Sequence, residues 1–152
     1  MRCFHSAGRS LSVIWAVSGR GARQAVANSN FNFVGYSAVY SFGGGLFNSL
    51  VNNSFLYGNN FVKYSISVDG GNCYILNNRI NGSEIGIYAI NTNNSIFNGN
   101  NVVNTTIGAI QCNGTNNTLS YNNLTGNVIG ISISGSFCEI ISNIIVKNTY
   151  CG

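Results

Sequence analysis

Apolar residues recur along this chain in short alternating pieces, without the three-and-four spacing of a helix. Between residues 117 and 133, the pieces Asn117-Thr118-Leu119-Ser120-Tyr121, Asn123-Leu124-Thr125 and Ile129-Gly130-Ile131-Ser132-Ile133 alternate apolar and polar or small side chains. A period of two predicts strands, and the Asn- and Gly-rich links between the pieces predict tight corners.

The pieces repeat as a group. NNLTGNVIGISI occupies 122 to 133, NNVVNTTIGAIQ occupies 100 to 111, and NNRINGSEIGIYAI occupies 77 to 90. Counted from the isoleucine of each Ile-Gly pair, Ile85, Ile107 and Ile129 are 22 residues apart, and Gly86, Gly108 and Gly130 follow them. A fixed period of this size marks a solenoid, whose units bury their apolar faces only by stacking on one another. Looser copies extend the pattern: Asn59-Asn60 leads to Ile66 and Val68, NFVGYSAVYSFGG (32 to 44) echoes NFVKYSISVDGG (60 to 71), and a last unit keeps Ile140, Asn143 and Ile144. Three short strands in about 22 residues fit one coil of a parallel β-helix, with about five coils from near Asn30 to the C-terminus.

On this reading the paired asparagines (77/78, 100/101, 122/123) sit at a corner, where asparagine tolerates left-handed backbone, and stack into a ladder of Asn78, Asn101, Asn123 and Asn143. The Ile-Gly-Ile strand is expected to send its isoleucines inward and its glycine, Gly86, Gly108 or Gly130, to the other side.

Composition agrees with stacked strands. Asparagine stands at 27 positions, proline at none, and charged residues make up 7% of the chain, against about 25% in a typical soluble domain. Proline cannot donate to a ladder, and like charges in register destabilise one, whereas stacked amides hydrogen-bond along it. With 45% hydrophobic and 12% aromatic residues, a disordered Asn-rich tract is excluded.

The net charge of +4 comes from Arg2, Arg9, Arg20 and Arg23; from residue 24 onward Lys63, Arg79 and Lys147 balance Asp69, Glu84 and Glu139. A formally neutral repeat region argues against a nucleic-acid partner. Residues 1–27 differ from the remainder: acid-free, with a short apolar run from Leu11 to Val17 and an Ala25-Val26-Ala27 exit. They read as a secretory leader or an N-terminal cap, with an organellar transit peptide as a further alternative, and the solenoid is assigned to 28–152. No apolar run is long enough for a transmembrane helix.

The pattern N-x-I-x-x-N-N followed by I-G-I-x-I, over roughly residues 30 to 150, closely resembles the right-handed parallel β-helix repeat family. Members include pectin-active enzymes of the pectin lyase-like type, phage tailspikes, adhesin-like surface proteins, and periplasmic copper-maturation proteins of nitrous oxide reductase. The nearest likeness is to Asn-rich, adhesin-like surface proteins. That resemblance implies an all-β, right-handed parallel β-helix. It also implies a non-catalytic secreted or cell-surface solenoid that binds glycan or protein through an exposed face. The alternatives are a fragment of a polysaccharide lyase or hydrolase, and a structural module of a larger assembly. The matching residues are structural, so they carry fold further than function.

Carbohydrate-cleaving members of that family imply clustered carboxylates, and glycoside hydrolysis needs two within about 5 to 9.5 Å. Here the three acids fall in different registers, so no catalytic residue is assigned. The one grouping suited to a sugar-contacting face is Lys63, Tyr64, Asp69, Tyr74, Arg79, Glu84 and Tyr88, which mixes aromatic and charged side chains within two turns.

Metal and cofactor chemistry finds no support, since His5 is the only histidine and Cys3, Cys73, Cys112, Cys138 and Cys151 form no C-x-x-C. Cys73 and Cys138 are about three coils apart, roughly 14 Å, beyond the ~7 Å reach of a disulfide. Sequons at Asn52, Asn81, Asn93, Asn104, Asn113, Asn116 and Asn123 are near the number so Asn-rich a chain produces by chance. A flat T-x-T column of the kind that binds ice is missing. The last coil, from Cys138 to Tyr150, is expected to offer an uncapped edge for self-association.

Overall fold

The computed structural model describes residues 63–150 in full. Before them it describes the backbone of seven strands: β1 (Arg2–Phe4), β2 (Trp15–Arg20), β3 (Gln24–Ala27), β4 (Asn30–Phe33), β5 (Ser37–Phe42), β6 (Ser49–Asn52) and β7 (Phe55–Gly58). Apart from those strands, the leader or cap expected over residues 1–27 and the first of the five expected coils lie outside the described residues. The fully described part contains β8 (Tyr64–Asp69), β9 (Tyr74–Leu76), β10 (Arg79–Ile90), β11 (Ile96–Asn98) and β12 (Asn101–Asn113). It continues with β13 (Thr118–Ser120), β14 (Asn123–Thr125), β15 (Ile129–Ser134), β16 (Glu139–Ile141) and β17 (Ile144–Val146).

These strands wind into a parallel β-solenoid of about four turns with a spacing near 22 residues. Each coil crosses three faces. The first face stacks β9, β11, β13 and β16 in parallel register, Tyr74↔Ile96↔Thr118↔Glu139. The second stacks the opening residues of β10 and β12 with β14 and β17, Arg79↔Asn101↔Asn123↔Ile144. On the third lie β8, the closing residues of β10 and β12, and β15, Ile66↔Ile87↔Ile110↔Ile131. The backbones of β1 to β7 extend the same parallel ladders.

Period-two alternation fills the interior. The first face contributes Ile75, Phe97 and Leu119; the second, Ile80, Val102 and Leu124; the third, Ile66, Val68, Ile87, Ala89, Ile110 and Cys112, all in one buried cluster. Every such residue stacks on its counterpart about 4.8 Å along the axis. In the fourth coil the corresponding Ile131, Ile133 and Ile145 are only partly buried against that cluster.

The corners share a pattern: a left-handed residue, then a small or amide side chain turned toward the interior. Between the first and second faces the left-handed positions are Asn77, Gly99, Tyr121 and Ser142, each followed by an asparagine, Asn78, Asn100, Asn122 or Asn143. Between the second and third faces they are Gly82, Asn104, Gly126 and Lys147, followed by Ser83, Thr105, Asn127 and Asn148. Asn72, Asn94, Asn116 and Phe137 open the remaining corner and precede Cys73, Ser95, Asn117 and Cys138. Among the described residues asparagine takes six of the ten left-handed non-glycine positions, as its tolerance of that region leads one to expect.

The principal ladder therefore runs Asn78, Asn100, Asn122, Asn143, which corrects the expected Asn101 and Asn123. The Oδ1 of Asn100 accepts from the backbone N–H of Asn78 (3.1 Å) and its Nδ2 (3.0 Å). Asn100 Nδ2 donates to the Ile75 carbonyl (2.8 Å) and to Asn122 Oδ1 (3.0 Å). Asn122 repeats the set with Phe97 and Asn143. Asn101 and Asn123 are one residue later, at the start of strands, half-exposed. The three Asn-Asn pairs look equivalent in the sequence but are not. In the first, Asn77 is the left-handed residue and Asn78 the ladder; in the others, the ladder residue comes first because Gly99 and Tyr121 take the left-handed position.

The glycine column also shifts. β10 and β12 change register between Ser83 and Ile85, so that Ser83 pairs with Thr105 but Ile85 pairs with Gly108. One extra residue is accommodated around Thr106 and Ile107, a β-bulge, and Ile107 is 41% exposed. Gly108 then pairs with Ile129, which leaves Gly86 level with Ala109 and Gly130. Nor does Gly86 face outward: a Cβ there would lie 2.4 Å from Val102 Cγ1 and 2.7 Å from the Ala109 carbonyl oxygen. Ile87 enters the core cluster, and Ile85 is buried as well, as expected of both isoleucines.

Two outcomes test these registers. Asn100→Ala strands the Asn78 donors and the Ile75 carbonyl in the interior, so it should cost about 3–5 kcal/mol in denaturant unfolding, while Asn101→Ala changes stability by less than ~0.5 kcal/mol. Gly86→Val should cost about 2 kcal/mol or more through overpacking against Val102, with Gly108→Ala much milder.

Candidate binding face

Outward positions on the third face form two columns along the solenoid axis. Ser67, Tyr88, Gln111 and Ser132 pair in succession. Two residues further along the strands come Asp69, Ile90, Asn113 and Ser134, with Asp69 paired to Ile90 and Asn113 to Ser134. Between the columns run the inward-facing Val68, Ala89, Cys112 and Ile133, whose backbone forms the floor.

A shallow groove of about 210 Å³ lies here, lined by Tyr88, Ala89, Ile90, Gln111, Cys112, Asn113, Ser132 and Ser134. Its apolar end is held rigid, because the Tyr88 ring stacks on Tyr64 with centroids 4.5 Å apart and planes 8° from parallel. Lys63 Nζ lies 5.4 Å from the centroid of the Tyr64 ring, within cation–π range. The Gln111 side chain lies along the face over Gly108, since a Cβ at Gly108 would meet Gln111 Nε2 at 3.4 Å and Cγ at 3.5 Å.

Of the seven residues singled out in the sequence, the fold thus gathers Lys63, Tyr64 and Tyr88. Tyr74 stands on the first face, exposed, beside Ile96. Arg79 stands on the second and lines a separate indentation of about 110 Å³ with Asn81, Asn101 and Val103. Asp69 closes β8, where its carboxylate accepts from Asn91 Nδ2 at 2.9 Å. Glu84 lies at the corner between the second and third faces. Because Asp69 pairs with Ile90, six residues along the strand from Glu84, their backbones are about 20 Å apart at ~3.3 Å per residue, more than the two side chains can span. Two carboxyl groups that cleave a glycosidic bond stand within about 9.5 Å, so these two cannot share one reacting centre. Glu139 is on the first face, in the last coil.

Gln111, Asn113, Ser132 and Ser134 were missed in the sequence. The tripeptides Ile87-Tyr88-Ala89, Ile110-Gln111-Cys112 and Ile131-Ser132-Ile133 carry the signal, an in–out–in triplet once per coil. Aligning on the Ile-Gly pairs hides it, because the bulge displaces Gly108 by one residue.

Among the described residues no group of three His, Cys, Asp or Glu could hold a metal ion, and no helix is long and apolar enough to cross a membrane. Cys73, Cys112 and Cys138 are free thiols. Cys73 and Cys138 occupy one corner column three coils apart, as their spacing implies. Burial is the largest influence on the Cys112 thiol and holds its pKa above the ordinary value of 9.0. No family model, no curated protein and no solved structure matches this chain.

Thiol labelling near pH 8, mapped by peptide mass, should modify Cys138 in the native protein and spare Cys112 and Cys73 until unfolding. The Cys112 pKa is higher folded than unfolded, so its contribution to stability is complete below the unfolded value near 9.0 and is lost as pH rises above it. Cys112→Ala should flatten that alkaline loss in pH-dependent denaturation.

Proposed function

We propose that the protein is a non-catalytic solenoid of the secreted or cell-surface kind, which binds polysaccharide on its third face. The observation that carries this reading is the stacked Tyr64–Tyr88 pair, with Lys63 beside it, at the end of a groove lined by amides and hydroxyls. Sugar rings present apolar C–H faces and polar edges. Aromatic rings held in place and convergent hydrogen-bonding groups match both, at little entropic cost.

The repeat's resemblance to adhesin-like β-helix proteins supports export and surface display, and its likeness to pectin lyase-like proteins supports a carbohydrate ligand. Right-handed coiling is carried over from the same resemblance, and it accords with the strong preference for right-handed crossovers between parallel strands. The separation of Asp69 from Glu84 favours binding over hydrolysis.

Presented to a broad polysaccharide array, with chain cleavage read on the same samples, the purified protein should retain at least one polymer and leave its length unchanged. Tyr88→Ala should weaken that binding about tenfold or more, a loss of ~1.4 kcal/mol, with β-sheet circular dichroism preserved. Binding that ignores both Tyr88→Ala and Lys63→Ala would place the ligand on another face, and shortened polymer would refute the non-catalytic assignment.

A further inference from the structure

Resting on that reading, we infer that the ligand is an uncharged polysaccharide segment running along the solenoid axis, and that Gln111 determines its selection. The direction follows from the shape of the groove. Its residues come from three successive coils at the same two outward positions, so the columns form side walls and the open dimension runs across the coils. Two coil spacings make it about 10 Å long, and two residues of strand make it about 7 Å wide. A chain laid across the strands would have to climb both walls.

The chemistry changes along that length. In the second coil the walls are Tyr88 and Ile90, in the third Gln111 and Asn113, and in the fourth Ser132 and Ser134. An apolar ring face fits the first pair, and hydroxyl groups fit the amides and serines that follow. None of the eight lining residues is charged. A charged group on the ligand would lose hydration among those eight residues without meeting a counter-charge from any of them. Asp69 heads the second column, level with Ile90, and its negative charge further disfavours an acidic polymer.

Gln111 holds the middle of the groove. Its side chain lies over Gly108, at ordinary contact distance from where a Cβ there would be, and the bulge at Thr106 and Ile107 sets this stretch of β12 in register with Ile85. The amide offers both a donor and an acceptor, which suits a hydroxyl that both gives and takes a hydrogen bond.

Binding of the full chain to soluble xylan, mannan, β-glucan, polygalacturonate and chitosan should be measured at about 0.05 M and about 0.5 M salt, which shortens the screening length about threefold. A neutral polymer should bind, with affinity unchanged within about twofold between the two salts, as expected where no ion pair is made. Gln111→Ala should weaken it about tenfold, equivalent to ~1.4 kcal/mol, with an unchanged unfolding midpoint.

Salt-sensitive binding of polygalacturonate abolished by Lys63→Ala would overturn the uncharged ligand and leave polysaccharide binding standing. So would salt-sensitive capture of chitosan abolished by Asp69→Asn. Neutral binding untouched by Gln111→Ala would remove Gln111 from its role. Retention of no polymer by folded protein would refute this inference together with the function it rests on.

Discussion

The rest of the structure depends on how the chain turns its corners. Three times in each coil the backbone passes through a left-handed residue, and where an asparagine follows it into the interior, burial is tolerated because the amide is hydrogen-bonded. The amide of asparagine can do this by itself. Asn100 receives from Asn78 above, donates to Asn122 below, and satisfies the Ile75 carbonyl beside it. Asn127 does the corresponding work at the next corner, accepting from Thr105 and donating to the Val102 carbonyl.

Because the asparagine corners satisfy themselves, the faces are free to differ. Inward positions are held to a narrow choice by stacking, and Gly86 shows how narrow, with Val102 and the Ala109 carbonyl closing on the space a side chain would need. Outward positions carry no such demand. The third face can therefore carry a tyrosine, a glutamine and a serine in one column without altering the coil. A scaffold of this kind separates stability, which resides in the ladders and the core, from recognition, which resides in the outward columns.

The bulge in the third coil links the two. An added residue at Thr106 and Ile107 slides the strand against its neighbours and brings Gly108 level with Ile85 and Ile129, so that Gln111 stands level with Tyr88 and Ser132. Bulges commonly re-aim side chains near binding sites, and here the displaced residue is a glycine next to the groove.

The sequence by itself determined the parallel solenoid, the period near 22 residues, the inward alternation and the use of asparagine at corners. All of these are properties of spacing, and each is repeated often enough to be read without coordinates. Tertiary structure alone decided which asparagine of each pair enters the ladder, which way Gly86 points, and which of seven candidate residues share a face. The reason is one of register. A one-residue shift is invisible where asparagines are adjacent and glycines recur, yet it exchanges buried and exposed positions in every coil it reaches. Tyr74, Arg79 and Glu84 are near Tyr88 in sequence and far from it in space, because a coil only 22 residues around turns two corners between β9 and the end of β10.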